Sequence, residues 1–402
     1  MRRRNRINKQ ILRITSPKRK EKLKLELIDI ESKLNKSRKK SKYLEEIKAI
    51  ETIKKNPKYF YSYAKRFSKC TNSIGPLKDK SGNYIYNNQD IANAFSDQYK
   101  SVFSKPDVPL PPARNIFPDD DNSDKLNDIH FTEKDLVEAI NELSDKSSSG
   151  PDDVASVLLK NAKDELSTAL HILWRKCLDE GVTPNQLKES EVAPIHKGGS
   201  MAIPVNFRPI SLTSHIVKIF EKIVRKYIVN YLNTNSLFNA NQHGFRRGRS
   251  CLSQLLIHYE QILSALENGN DVDVVYLDFC KAFDKVDFGV LLKKIKLLGI
   301  GGKVGRWIYS FLAHRKQVVV VNGTKSRQED VLSGVPQGTV LGPLLFVIYI
   351  GNIDSDVEHS TLRCFADDSR VLKTINGNND YNLLQSDLII MFEMSLRKHS
   401  TS

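Results

Sequence analysis

The run Asp273-Val274-Val275-Tyr276-Leu277-Asp278-Phe279 is apolar through its middle and closes beside a carboxylate. Side chains alternate along a strand, so Val275, Leu277 and Phe279 share one face and Val274, Tyr276 and Asp278 the other. A charge at the end of such a strand is expensive unless something binds it. Further along, Asp367-Asp368 stands between Thr361 to Ala366 and Arg370 to Ile375, which predicts a hairpin with two adjacent carboxylates at its tip. Two carboxylates held together repel, and a divalent cation relieves that repulsion through hard oxygen ligands. Asp278, Asp367 and Asp368 on neighbouring strands can hold two Mg²⁺ ions about 3.5–4 Å apart, the arrangement that activates a hydroxyl and stabilises a leaving oxygen in phosphoryl transfer. Taken singly, each piece has a plainer reading: a solvated Asp-Asp turn, or an aspartate capping a helix.

The surrounding pattern mixes helices and strands. Leu212 to Leu232 and Leu252 to Leu266 read as amphipathic helices, Phe288 to Leu298 as a helix stopped by Gly299, and Pro336 to Ile350 as an apolar helix. Thr132, three residues before Asp135, marks a helix start. Gln317 to Val321 and Glu329 to Leu332 predict a hairpin around Asn322-Gly323. The fold class that follows is α+β around an antiparallel sheet. Lys105 to Asp121, with Pro106, Pro109, Pro111, Pro112 and Pro118, reads as a linker. Asp284 and Asp287 are expected to cap the helix that begins at Phe288.

Charge is partitioned along the chain. Met1 to Cys70 carries 24 Lys and Arg against 7 Asp and Glu, whereas the rest carries 38 against 40. The first segment is therefore a cationic extension, helical over Glu21 to Ile53, of the kind that attracts polyanions by releasing their counterions. A solvated charged helix without a partner is the plainer reading. Lys58 to Phe67 interleaves aromatic and basic residues, as either core or a base-stacking surface would. The longest apolar stretch, Val340 to Ile350, is interrupted by Gly342 and Pro343, so no membrane span and no membrane partner are expected. No secretory signal is expected either. The five cysteines lack any C-x-x-C spacing, which argues against a disulfide scaffold or a clustered zinc site.

Five motifs in order then carry a resemblance. Asn206-Phe207-Arg208-Pro209-Ile210-Ser211-Leu212 and Gln242-His243-Gly244-Phe245-Arg246-Arg247-Gly248-Arg249-Ser250 resemble the two finger motifs of the reverse transcriptases of non-LTR (LINE-like) retrotransposons. Tyr276-Leu277-Asp278-Phe279-Cys280-Lys281-Ala282-Phe283-Asp284-Lys285-Val286-Asp287 resembles the first palm motif. Ser333-Gly334-Val335-Pro336-Gln337-Gly338-Thr339-Val340-Leu341-Gly342-Pro343 resembles the motif that contacts template and nucleotide, and Phe365-Ala366-Asp367-Asp368 the catalytic turn. The resemblance covers roughly Pro194 to Leu372 and extends more weakly to about Asn56.

The resemblance implies a right-hand polymerase with fingers and an antiparallel palm sheet, preceded by the basic helical extension. It implies residues 1–70 as that extension, 71–130 as a connecting region, 131–250 as fingers and 251–402 as palm. By position, Asp278, Asp367 and Asp368 would be the catalytic and metal-binding carboxylates, with two Mg²⁺ as cofactor and Mn²⁺ able to substitute. The carbonyl of Phe279 would complete a metal shell. Phe283 would lie under the sugar and exclude a 2′-hydroxyl. Lys197 and Arg208 would face the triphosphate, Gln337 and Gly338 would line the nucleotide site, and Arg246, Arg247 and Arg249 would grip template phosphates. The partners implied are an RNA template, a DNA primer and deoxynucleoside triphosphates, in nucleus and cytoplasm. Cys280 and Cys364 are expected to be buried and inert. The family's thumb and endonuclease are not found in these residues, so a fragment of a longer polyprotein is expected. The alternative is a catalytically dead nucleic-acid-binding remnant.

Overall fold

The computed structural model describes residues 17–51 and 74–397, apart from 80, 106–107, 121 and 146–147. The aromatic and basic stretch Lys58 to Phe67 lies outside the described residues. The chain divides into two compact units, Met1–Ser73 and Ile74–Ser402. In the first, the described residues form one helix, α1 (Pro17–Glu51), with an exposed Lys33–Asp29 pair one turn apart.

The second unit opens with a two-stranded ribbon, β1 (Leu77–Lys78) and β2 (Tyr84–Ile85), followed by helix α2 (Asn88–Lys100). The short helix α3 (Ala113–Ile116) and helices α4 (Glu133–Asn141), α5 (Ser156–Asn161) and α6 (Lys163–Glu180) come next. Thr132 and Asp135 close a reciprocal capping box at the start of α4, and Gly181 ends α6 in the left-handed conformation that glycine adopts freely. Strands β3 (Glu189–His196) and β4 (Phe207–Thr213) lead into α7 (His215–Thr234) and α8 (Cys251–Glu267). After β5 (Asp271–Leu277) come α9 (Phe288–Leu297), α10 (Gly302–Leu312), β6 (Lys316–Val321), β7 (Thr324–Lys325) and β8 (Glu329–Asp330). Helix α11 (Gly342–Ile350), strands β9 (Thr361–Phe365) and β10 (Asp368–Ile375) and helix α12 (Asn378–Arg397) complete the described chain.

Three aromatic rings anchor the largest core. Phe220 of α7 stacks on Trp174 of α6 at 4.7 Å and meets Trp307 of α10 edge-on at 5.0 Å. All three are shut off from solvent. Helix α11 is apolar on every side and accordingly buried almost throughout. The buried Glu221 of α7 accepts from the Val340 and Leu341 amides at 2.7 and 2.8 Å, satisfying donors at the start of α11. Burial pushes this carboxyl above its ordinary range.

The strands form two larger sheets. In the order β5-β10-β9 all neighbours run antiparallel, as expected. Here Val275, Leu277 and Phe279 pack on a small core with Leu362, Val371 and Leu384, while Tyr276 is exposed, so the period-two reading of this strand matches its packing. The second sheet, β4-β3-β6-β7, is mixed rather than antiparallel, because β3 and β6 run parallel from Glu189↔Lys316 to Val192↔Val319. It packs on a separate core built from Ile91, Phe95 and Tyr99 of α2 with Val192, Phe207, Val319 and Val321. The expected hairpin also differs: around Asn322-Gly323, β6 pairs with Thr324–Lys325, and Glu329–Asp330 returns to the far end of β6.

Within the expected linker at 105–121, the described segment around Phe117 packs against the rest of the unit. Phe117 is 1% exposed, its ring lies against Gly305, and its carbonyl accepts from Arg306, which also pairs with Asp119 at 2.8 Å. Among the described residues, no helix is long and apolar enough to cross a membrane.

Candidate active site

The hairpin joining β9 to β10 turns through Ala366 and Asp367, with Asp368 already the first residue of β10. The predicted tip is thus displaced by one residue. Asp278 lies just past the end of β5. The last rung of the β5–β10 ladder pairs Leu277 with Ser369. Asp278 follows Leu277 and Asp368 precedes Ser369, so both carboxylates adjoin the end of this ladder. Asp278 and Asp368 are exposed and Asp367 half-buried. Burial first, and then the Asp368 and Asp278 carboxylates, push the Asp367 carboxyl up; Arg208 pulls it back. The three carboxylates and one guanidinium therefore share one electrostatic neighbourhood.

Their donor chemistry fits a hard divalent cation, since all the ligand atoms are carboxylate oxygens, and crowding around Asp367 is what such a cation relieves. The side chains do not close a coordination shell by themselves: among the described residues, no group of three or more His, Cys, Asp or Glu is arranged to hold a metal ion.

The cations come from the other sheet. Arg208 follows the buried Phe207 on β4, so alternation turns it outward, and it pairs in register with Ile195. Lys197 is exposed just past β3, its amide bonded to the Asn206 carbonyl. Within electrostatic reach of both is Lys281, which the sequence reading did not single out. It is a non-glycine residue at φ +55°, and burial, then Lys197, with Arg208 adding to it, lower its pKa.

The loop 333–338 is fastened on two sides. Gly334 donates to the Val286 carbonyl, Val335 to Phe283, and the Ser333 hydroxyl to Asp284. Across from these, the Ser211 amide donates to Gln337 at 2.7 Å. Gly338 (φ +123°) passes so close to β4 that a Cβ would sit 2.4 Å from the Ser211 carbonyl oxygen, so a side chain is excluded there. Phe283 stacks on Phe346 at 4.3 Å and receives the edge of Phe245 at 6.1 Å. Half-buried, it is both packed and accessible. Phe279 is likewise half-buried, on the packed side of the first sheet.

Two expectations about neighbouring aspartates separate. Asp287 caps α9, accepting from Val290 at 2.8 Å. Asp284 does not cap: it bonds the Gln337 side chain, and burial pushes its carboxyl up to about 6. Cys280, expected to be buried, is exposed because it lies in the open turn beyond β5; Cys364 is buried.

The arginines of the 246–249 loop do different work. Arg246 donates to the Asn239 and Gln242 carbonyls and lies over the Phe238 ring at 4.7 Å. Arg249 donates to the Ala240 and Gln242 carbonyls. Both hold the loop together. Arg247 is exposed and makes no hydrogen bond or ion pair among the described residues.

A second residue missed by the sequence reading is Gln242. It is buried, and its side-chain amide faces the backbone of Ala366 at the turn. Ala366 has φ +57°, a left-handed conformation that costs a non-glycine residue about 1–2 kcal/mol.

Residues 195–397 match the family model described as reverse transcriptase (RNA-dependent DNA polymerase). Among curated proteins, the chain is 27% identical to the probable RNA-directed DNA polymerase from transposon BS of Drosophila melanogaster, over 78% of this chain and 36% of that protein. It is 29% identical to the probable RNA-directed DNA polymerase from transposon X-element of the same organism, over 75% of this chain and 34% of that one. It is also 29% identical to the RNA-directed DNA polymerase from mobile element jockey, over 56% and 26%. The chain thus spans about a third of the length of the first two relatives.

Proposed function

The chain belongs to the reverse transcriptase (RNA-dependent DNA polymerase) family, and from that premise we propose that it is the polymerase core of a non-LTR retrotransposon enzyme. The reaction is nucleotidyl transfer: a DNA primer 3′-hydroxyl attacks the α-phosphate of a deoxynucleoside triphosphate, directed by an RNA template, and pyrophosphate leaves. The observation that carries this reading is the register of β5 on β10: Leu277 pairs with Ser369, which brings the end of the strand that leads into Asp278 beside the turn bearing Asp367 and Asp368.

Asp278, Asp367 and Asp368 would hold two Mg²⁺ ions, with Mn²⁺ able to substitute and the Phe279 carbonyl as a further oxygen ligand. When bound, such ions neutralise phosphate charge and lower the pKa of an attacking hydroxyl. Arg208, Lys197 and Lys281 would hold the triphosphate, where a guanidinium matches phosphate oxygens in pairs. Phe283, fixed from below by Phe346, would press against C2′ of the incoming sugar and leave no room for a hydroxyl. Gln337, held by Asp284, and Gly338 would line the nucleotide site. Arg247 would meet template phosphate directly, with Arg246 and Arg249 supporting its loop. Phosphate contacts of this kind carry no sequence preference.

The second reading, RNA binding without catalysis, draws on the open coordination shell. Primer extension on an RNA template with Mg²⁺ and deoxynucleotides separates the two. The wild-type chain should extend the primer, and Asp367→Asn should cut extension at least a hundredfold while RNA retention stays within twofold. Retention of RNA by a wild type that adds no nucleotide would establish the second reading.

A further inference from the structure

We propose that Gln242 is a positioning residue that sets the backbone of the turn bearing Asp367. The inference rests on the polymerase reading of that turn and adds a component to it.

The argument begins with the bonds of one amide. Its Oε1 accepts from the Ala366 amide at 2.9 Å and from the Gly244 amide at 2.7 Å, while its Nε2 donates to the Ala366 carbonyl at 3.2 Å. Two backbone donors meet one atom and a carbonyl meets the other, so the pattern fixes which end of the amide is oxygen. Gln242 is 3% exposed, so water does not compete for these groups. Holding one residue through both its N–H and its C=O fixes the two peptide planes that flank its Cα, and so the direction of the chain there. The residue held is Ala366, the left-handed one immediately before Asp367.

The segment carrying Gln242 is itself fastened to β9. The Cys364 amide donates to the Asn241 carbonyl at 3.0 Å and the His243 amide to the Cys364 carbonyl at 2.8 Å, so residues 241–243 run beside β9 like a short extra strand. Gly244 completes the fit, because a Cβ there would stand 2.3 Å from the Ala366 nitrogen. A left-handed alanine persists where its surroundings over-determine it, and such conformations concentrate at functional sites. Asp367 receives its direction from this backbone, and its distance to Asp278 and Asp368 follows.

The test compares wild type with Gln242→Met, which keeps the shape and loses all three bonds. A second variant, Gln242→Glu, keeps the acceptor and sets a carboxylate oxygen against the Ala366 carbonyl. Mn²⁺ affinity is read from water-proton relaxation, with Asp367→Asn marking the contribution of the site. Primer-extension kcat, nucleotide KM, RNA retention and melting temperature are measured alongside. The expected result is Mn²⁺ binding weakened at least tenfold and kcat lowered ten- to a hundredfold in both variants, with KM and RNA retention within twofold. If Gln242→Met does not fold, the Gln242→Glu result decides. A wild type that binds Mn²⁺ and extends primer, beside folded variants that match it within twofold, would overturn the clamp and leave the polymerase reading standing. Lower melting temperature without change in Mn²⁺ affinity or kcat would do the same. A wild type that neither binds Mn²⁺ nor extends primer would overturn both.

Discussion

The two larger sheets bury one face each and differ in what they leave open. The sheet β5-β10-β9 rests on a small core of Leu362, Val371 and Leu384 and ends in carboxylates; the sheet β4-β3-β6-β7 rests on Phe95 and Phe207 and turns Arg208 outward. One is acidic at its working end, the other basic. Their meeting at Asp367 and Arg208 explains how a nearly neutral globular unit supports a strongly polar site. On the proposed polymerase reading, neither sheet would suffice alone: carboxylates without cations would repel a triphosphate, and cations without carboxylates would bind it without activating anything.

If each sheet stands on its own core, their foundations should fail independently. Phe95→Ala, beneath the basic sheet, should cost about 3–5 kcal/mol of stability in denaturant unfolding, the usual loss for a buried phenylalanine. Val371→Ala, beneath the acidic sheet, should cost about 2 kcal/mol, and the double variant should show the sum. A large departure from additivity would mean that the cores act as one. Arg208→Ala tests the division of labour at the surface. It should raise nucleotide KM about tenfold, equivalent to about 1.4 kcal/mol, with RNA retention within twofold. Equal loss of RNA binding would make the basic sheet a general polyanion surface.

The smallest effect concerns Asp284 beneath Gln337. Burial outweighs Lys281 and the Gln337 bond and holds its carboxyl at about 6 instead of the ordinary 3.8. The folded state therefore binds a proton more tightly than the unfolded one. This group's contribution to stability is complete below pH 3.8 and is lost as pH rises through about 6. Thermal melts of Asp284→Asn should lack the wild-type decline over that window. An identical slope in both would show that Asp284 does not control it.

Much of this arrangement was legible in local patterns. Alternation in β5 predicted which side of Val275, Leu277 and Phe279 is packed, and Thr132 and Asp287 could be read as caps because their partners lie three residues away. What escaped depends on distant partners. Gln242 meets Ala366 across 124 positions, and no local spacing announces that bond. The parallel pairing of β3 with β6 escaped for the same reason, since their registers are set by shared burial on α2 rather than by a turn. Lys281 was missed because its placement depends on a left-handed backbone within an ordinary-looking Lys-Ala-Phe sequence.

The proline-rich stretch has a practical consequence for anyone who trims this chain. A cut at about residue 121, where composition invites one, would pull the Phe117 ring off Gly305 and strip Arg306 of both Asp119 and a carbonyl partner. The shortened protein would begin life with a hole in its flank and a stranded guanidinium. A start at Ile74, the first residue of the second compact unit, keeps that brace in place.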